Sequence, residues 1–137
     1  MNKILIVDDD PLMLRVVEHG LTKEGYKVFV AEDGFKAMNI LQNEEIALII
    51  SDIMMPNLSG VGFLKLAEQL NKNKIPVIII SSLDKADIIL SAIGIEAVDF
   101  IVKPIDFAEL SSRIKSHLNK PELYYERDKL VQRVIDN

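Results

Sequence analysis

The sequence predicts an α/β fold, a doubly wound, five-stranded parallel sheet followed by one extra C-terminal helix. Two observations carry that prediction. Strand-like and helix-like segments alternate five times with short connections, the pattern of βα units in a parallel sheet. Several strand candidates are apolar at consecutive positions, as in Val77-Ile78-Ile79-Ile80, which marks strands buried on both faces. At 137 residues with 49% hydrophobic content, the chain fits one domain with a short appendage and needs no staple to hold its core.

Lys3–Val7 is the first strand, closed by Asp8-Asp9-Asp10-Pro11. Asp10 before Pro11 starts a helix, an acceptor at the N-cap and a proline at the first helical position. Leu14, Val17 and Leu21 recur on one face, and Gly25 ends the segment. Lys27–Ala31 is the second strand. Asp33-Gly34 opens a second helix with Ala37, Ile40 and Leu41 inward. The third strand runs from Ala47 through Ile50 to Ser51 and Asp52, and Pro56, Asn57 and Gly60 mark the following loop. Phe63, Leu64, Ala67 and Leu70 form the stripe of a third helix.

Pro76–Ser81 is the fourth strand, and a weaker helix runs from Asp84 to Ile93. Asp99–Val102 is a short fifth strand leading into Lys103-Pro104, and Asp106 can cap a fifth helix carrying Leu110, Ile114 and Leu118. Residues 1–119 then form the domain. Pro121 opens a helical extension over 120–137, either folded back onto the domain or leading to an output domain, with a homodimer as a further option.

A parallel sheet delivers its strand ends to one edge, where open α/β sheets place their ligands. Here that edge collects Asp8, Asp9, Asp52, Ser81 and Lys103. Taken singly, each has an ordinary use: a helix cap, a loop acid, a surface lysine. Together, clustered carboxylates repel and call for a cation, and hard oxygen ligands suit Mg²⁺. Acids, a divalent metal, a lysine and a hydroxyl are the parts phosphoryl transfer uses. The absence of cysteine rules out disulfides and thiolate sites. No His reaches this edge, which excludes a Ser-His-Asp mechanism. A net charge of −5 argues against direct nucleic-acid binding by this chain. No segment reads as a signal peptide or membrane span, so a cytoplasmic protein with no membrane partner is expected.

Ile6-Val7-Asp8-Asp9, Ser51-Asp52-Ile53-Met54-Met55-Pro56 with Gly60, Val77 through Ser81-Ser82, and Lys103-Pro104 closely resemble the receiver domain of two-component response regulators. The likeness spans Lys3 to about Leu118 and implies the flavodoxin-like, chemotaxis-regulator (CheY-like) (βα)5 fold with strand order 2-1-3-4-5. It implies that Asp52 is the phosphoacceptor, with Asp8, Asp9, Asp52 and the Met54 backbone carbonyl holding Mg²⁺, for which Mn²⁺ can substitute. Lys103 would contact the phosphoryl oxygens, with the backbone at Met54 and Ser82 nearby, and Pro104 would follow a cis bond. Ser81 and Phe100 would be the switch pair, reshaping the surface of the fourth helix, fifth strand and fifth helix. The donor would be a sensor histidine kinase or histidine phosphotransfer protein, and the readout a downstream target or missing output domain.

Phe100 lacks the hydroxyl that many relatives carry, so its switching would work through packing. Met54 and Leu83 flank the route of the hydrolytic water in such domains, and both are apolar here. A comparatively long-lived acyl phosphate is therefore expected, and an unchanged dephosphorylation rate in Met54→Asn would overturn that. Ser59 stands where relatives often carry an acid. His19 and His117 are expected to be surface histidines. Two rival functions have specific weaknesses. An aspartate-nucleophile phosphatase needs a second Asp at the position of Met54, and a non-phosphorylated interaction module would have lost an acid or the lysine.

Overall fold

The computed structural model describes residues 2–53, 75–82 and 97–118. Within these lie β1 (Lys3–Val7), α1 (Pro11–Lys23), β2 (Lys27–Ala31), α2 (Gly34–Asn43), β3 (Leu48–Asp52), β4 (Val77–Ser81) and β5 (Asp99–Val102). A third described helix, α3, occupies 107–118. The five strands form one sheet in the order β2-β1-β3-β4-β5, and every pairing is parallel. The doubly wound fold expected from the sequence is therefore the fold observed. The expected helices after Gly60 and Asp84, the loop from Met54 to Gly60, Leu83, and the extension after Pro121 all lie outside the described residues.

Alternation along each strand sorts side chains to two faces. Leu5, Val7, Ile49 and Ile79 pack on the α2 side with Ala37 and Ile46. Ile4, Ile6, Leu48, Ile50, Ile78 and Ile80 pack on the other side, against Leu14, Val17 and Leu21 of α1 and Leu110 and Ile114 of α3. Two covered faces explain why these strands read as unbroken apolar runs rather than as alternating ones.

The helix ends follow from local chemistry. The Asp10 carboxylate accepts from the Leu12 and Met13 N–H groups at 3.0 and 3.4 Å, with Pro11 at the first helical position. At the other end of α1, the Gly25 N–H donates to the Thr22 carbonyl and the Tyr26 N–H to the Leu21 carbonyl. This is the Schellman arrangement, and it needs the left-handed backbone of Gly25, φ +97°. A Cβ on Gly20 would overlap the Phe107 ring, so α1 and the start of α3 touch closely there. The Ser111 hydroxyl, buried on α3, donates to Glu24 at the end of α1 at 2.7 Å. These contacts hold α1 and α3 side by side on one face of the sheet.

Candidate functional site

The carboxyl ends of β1, β3, β4 and β5 converge, bringing Asp8, Asp52, Ser81 and Lys103 to one edge. Asp8 follows β1 directly and is fully buried, while Asp52, the last residue of β3, is 6% exposed and Ser81, the last of β4, is 2% exposed. Asp9 stands beside them, exposed to solvent. Carboxylate oxygens of Asp8, Asp9 and Asp52 lie within 4.8 Å of one another, the one such acidic group among the described residues.

Lys103 follows β5, where its backbone N–H donates to the Ser81 carbonyl at 2.8 Å. Its side chain crosses to the acids. Nζ donates to Asp52 Oδ2 at 2.7 Å and lies 2.8 Å from Asp8 Oδ2. The contact with Asp8 has charge proximity without hydrogen-bond direction, so buried Asp8 Oδ2 accepts no hydrogen bond. Its companion oxygen, Oδ1, accepts the Asp10 N–H at 2.9 Å. The Lys103–Pro104 peptide is cis.

Burial raises the Asp8 carboxyl above its ordinary value, against the lowering effects of Lys103 and the Asp10 N–H. Burial would lower Lys103, and the Asp52 and Asp8 carboxylates more than offset it, holding the ammonium above its ordinary range. The site is therefore a compact set of oxygen donors in which burial disfavours the Asp8 charge, with one ammonium as partial compensation.

Those donors fit a divalent cation. Three carboxylates supply hard oxygen ligands, and the buried Asp8 Oδ2 atom, which lacks a hydrogen bond, is the kind of group a metal satisfies. Asp8, Asp9 and Asp52 are the described residues that would hold it. The Met54 carbonyl, also expected as a ligand, lies outside the described residues. Of the expected switch residues, Ser81 is at the edge, and Phe100 is half-buried on the α2 face of the sheet. Ser82 is exposed next to Ser81.

His19 is exposed on α1, as expected. His117 differs. Its side chain is only 14% exposed, and Nε2 lies 2.9 Å from Asp99 Oδ2. The same Asp99 carboxylate pairs with Arg113 and accepts the Phe100 N–H at 2.9 Å. Reading His117 as a solvated surface residue failed because its partner is 18 positions away and is met only when β5 packs on α3. The available signal was the four-residue spacing of Arg113 and His117, which places two basic groups on one helix face.

A doubly wound parallel sheet with buried acids and a lysine at its carboxyl edge is the arrangement that the resemblance to receiver domains implies. The profile of the response regulator receiver domain family matches residues 4–115, and the chain belongs to that family. Over 131 residues it is 34% identical to an uncharacterized transcriptional regulatory protein of Bacillus subtilis, covering 96% of this chain and 57% of the relative. A probable transcriptional regulator of Cyanophora paradoxa is 37% identical over 121 residues, 88% of this chain and 49% of its own length. The chain thus spans about half the length of the curated relatives it matches.

Among solved structures, a CheY-like receiver domain protein from Methanospirillum hungatei superposes with TM-score 0.82 at 27% identity, over 90% of this chain and 98% of the other. A Thermotoga maritima response regulator in complex with Mg²⁺-BeF superposes with TM-score 0.74 at 29% identity, over 85% and 98% of the two chains. No helix among the described residues is long and apolar enough to cross a membrane.

Proposed function

We propose that this receiver domain takes a phosphoryl group onto Asp52 from the phosphohistidine of a sensor histidine kinase or histidine phosphotransfer protein. An Asp52 carboxylate oxygen attacks phosphorus, the P–N bond breaks with its electron pair passing to the histidine ring, and an acyl phosphate forms. Water later attacks that phosphorus, releasing inorganic phosphate and restoring the carboxylate. The chain modifies only itself, so the domain acts as a signalling switch and not as an enzyme with turnover on a foreign substrate.

The observation that carries this reading is the bridge of Lys103 between Asp52 and Asp8, at 2.7 and 2.8 Å. One ammonium contacts the attacking carboxylate and stands where an arriving phosphoryl group needs charge neutralisation. Mg²⁺, or Mn²⁺ in its place, held by Asp8, Asp9, Asp52 and the Met54 carbonyl, would supply further neutralisation of the phosphoryl oxygens when bound. The backbone at Met54 and Ser82 would border those oxygens. A phosphoryl group adds close to two negative charges at this edge. Ser81 would turn toward it, and Phe100 would repack into the space released, biasing the β5 surface between two shapes that a partner can distinguish.

Because regulators about twice as long are named as transcriptional, we infer that this receiver controls an output region or a separate target concerned with transcription. Residues 120–137 would form the connection, and a homodimer would be one form of the activated state.

Intact-mass spectrometry after incubation with acetyl phosphate tests the chemistry. A single phosphoryl adduct that requires Mg²⁺ and disappears in Asp52→Asn is expected. A folded, Mg²⁺-binding protein that gains no adduct would overturn the reading in favour of a non-phosphorylated interaction module.

A further inference from the structure

β5 is one of the two edge strands of the sheet, and the shorter of them. It has four residues, Asp99–Val102, and it pairs with β4 on one side only, as the last strand in the order. An edge strand has one ladder of hydrogen bonds where an interior strand has two. Yet this strand delivers Lys103 to Asp8 and Asp52 and carries Phe100. Something besides the β4 ladder has to set where it lies.

Besides the apolar packing of Ile101 with Leu110 and Ile114, Asp99, at the opposite end of β5 from Lys103, makes a polar attachment. Its carboxylate is 16% exposed. Oδ1 takes the Phe100 N–H at 2.9 Å and the Arg113 guanidinium. Oδ2 takes His117 Nε2 at 2.9 Å. Arg113 is itself braced by Glu109 at 3.0 Å, one turn earlier on α3. Burial works against ionised Asp99, but the His117, Phe100 and Arg113 contacts outweigh it and lower its pKa. Both oxygens of a charged, poorly solvated group are thus engaged, two of its three contacts coming from α3 and the third from the backbone of Phe100. Charge-assisted contacts of this kind are short and directional.

We propose that Asp99 is a positioning residue for the acceptor site, tying β5 to α3 through Arg113 and His117 so that the placement of Lys103 and Phe100 is coupled to that helix. The inference rests on the function proposed above. It adds a residue set for communication between the phosphoryl site and whatever follows α3. Coupling of this sort is reciprocal: filling the site alters the Asp99 cluster, and altering the cluster alters the site.

The chain holds only two histidines, one in the cluster and one, His19, exposed on α1, which makes ring NMR signals a clean readout. Beryllofluoride with Mg²⁺ is added to the full chain, with ¹⁹F signals reporting occupancy of the site. The His117 ring signals shift on occupancy while those of His19 stay put, and Asp99→Asn abolishes the His117 response. Acetyl phosphate labelling of Asp99→Asn slows by roughly 2- to 30-fold, and Asp99→Glu restores part of the rate. Should Asp99→Asn fail to fold, Arg113→Gln on the helix side carries the same two measurements.

Occupied protein with a stationary His117, or with both histidines shifting alike, overturns the coupling. An unslowed labelling rate in folded Asp99→Asn overturns it as well. If no fluoride binds at all, the phosphoacceptor reading fails and this inference falls with it, an outcome the ¹⁹F spectrum separates from the others.

Discussion

The middle and the carboxyl edge of this sheet are built from the same strands and buried almost equally, but for opposite physical ends. Ile6, Ile50 and Ile80 in the interior are wholly buried, and so is Asp8 one residue beyond the end of β1. Each interior isoleucine gains from leaving water, on the scale of roughly 1.5–3 kcal/mol per side chain. A carboxylate loses hydration and recovers it only in part from Lys103 and a backbone N–H. Burial inside the sheet therefore builds stability, whereas burial at its edge spends some of that stability on concentrated charge. An apolar interior of this quality is what lets the edge remain electrostatically unsatisfied.

The sharpest way to break the comparison is Asp52→Asn, which should remove all phosphoryl adduct in the mass spectrum while the fold survives in circular dichroism. Loss of the fold as well would mean that the edge contributes to stability as the interior does. Next in size is Ile50→Ala in β3, a strand flanked on both sides. A cavity there should cost about 2–5 kcal/mol in denaturant unfolding, with adduct formation retained by the molecules that remain folded. A cost well below that would show an interior less tightly packed than its burial implies.

Smallest, and opposite in sign, is Asp8→Asn. The folded-state pKa of Asp8 lies above the ordinary 3.8, so ionising it costs folding free energy. That cost is absent in acid, where Asp8 is protonated in both states, and it grows as the pH rises from 3.8 through the raised folded value. Asp8→Asn should therefore stabilise the metal-free protein at neutral pH. The advantage should disappear on acidification, and Mg²⁺ affinity should fall. Unfolding midpoints across pH and a Mg²⁺ titration check both halves, and a destabilised Asp8→Asn would show that the Lys103 contact outweighs desolvation.

Much of this was open to a reader of the sequence because it depends on near neighbours. Consecutive apolar residues in β3 and β4 announce strands covered on both faces. Asp10-Pro11 and Gly25 bound α1 through groups two to five positions apart. Asp8, Asp9, Asp52, Ser81 and Lys103 each follow or end a strand, and in a parallel sheet that location alone brings them to one edge. His117 was misread for the converse reason. Nothing within a helical turn of it shows that it lies against Asp99, and a histidine among polar residues looks like surface.

Strand positions, the positions of the described helices, the doubly wound class and the membership of the acidic edge were thus determined by the sequence itself. They follow from periodicity, from end signals of a few residues and from the geometric fact that parallel strands share a direction. Only the tertiary structure decided that one Lys103 ammonium spans two acids, that Ser111 closes on Glu24, that Gly20 admits the Phe107 ring, and that Asp99 binds α3. Those contacts join groups brought together by packing, and packing is settled by the fit of whole faces, a property no short stretch of chain contains.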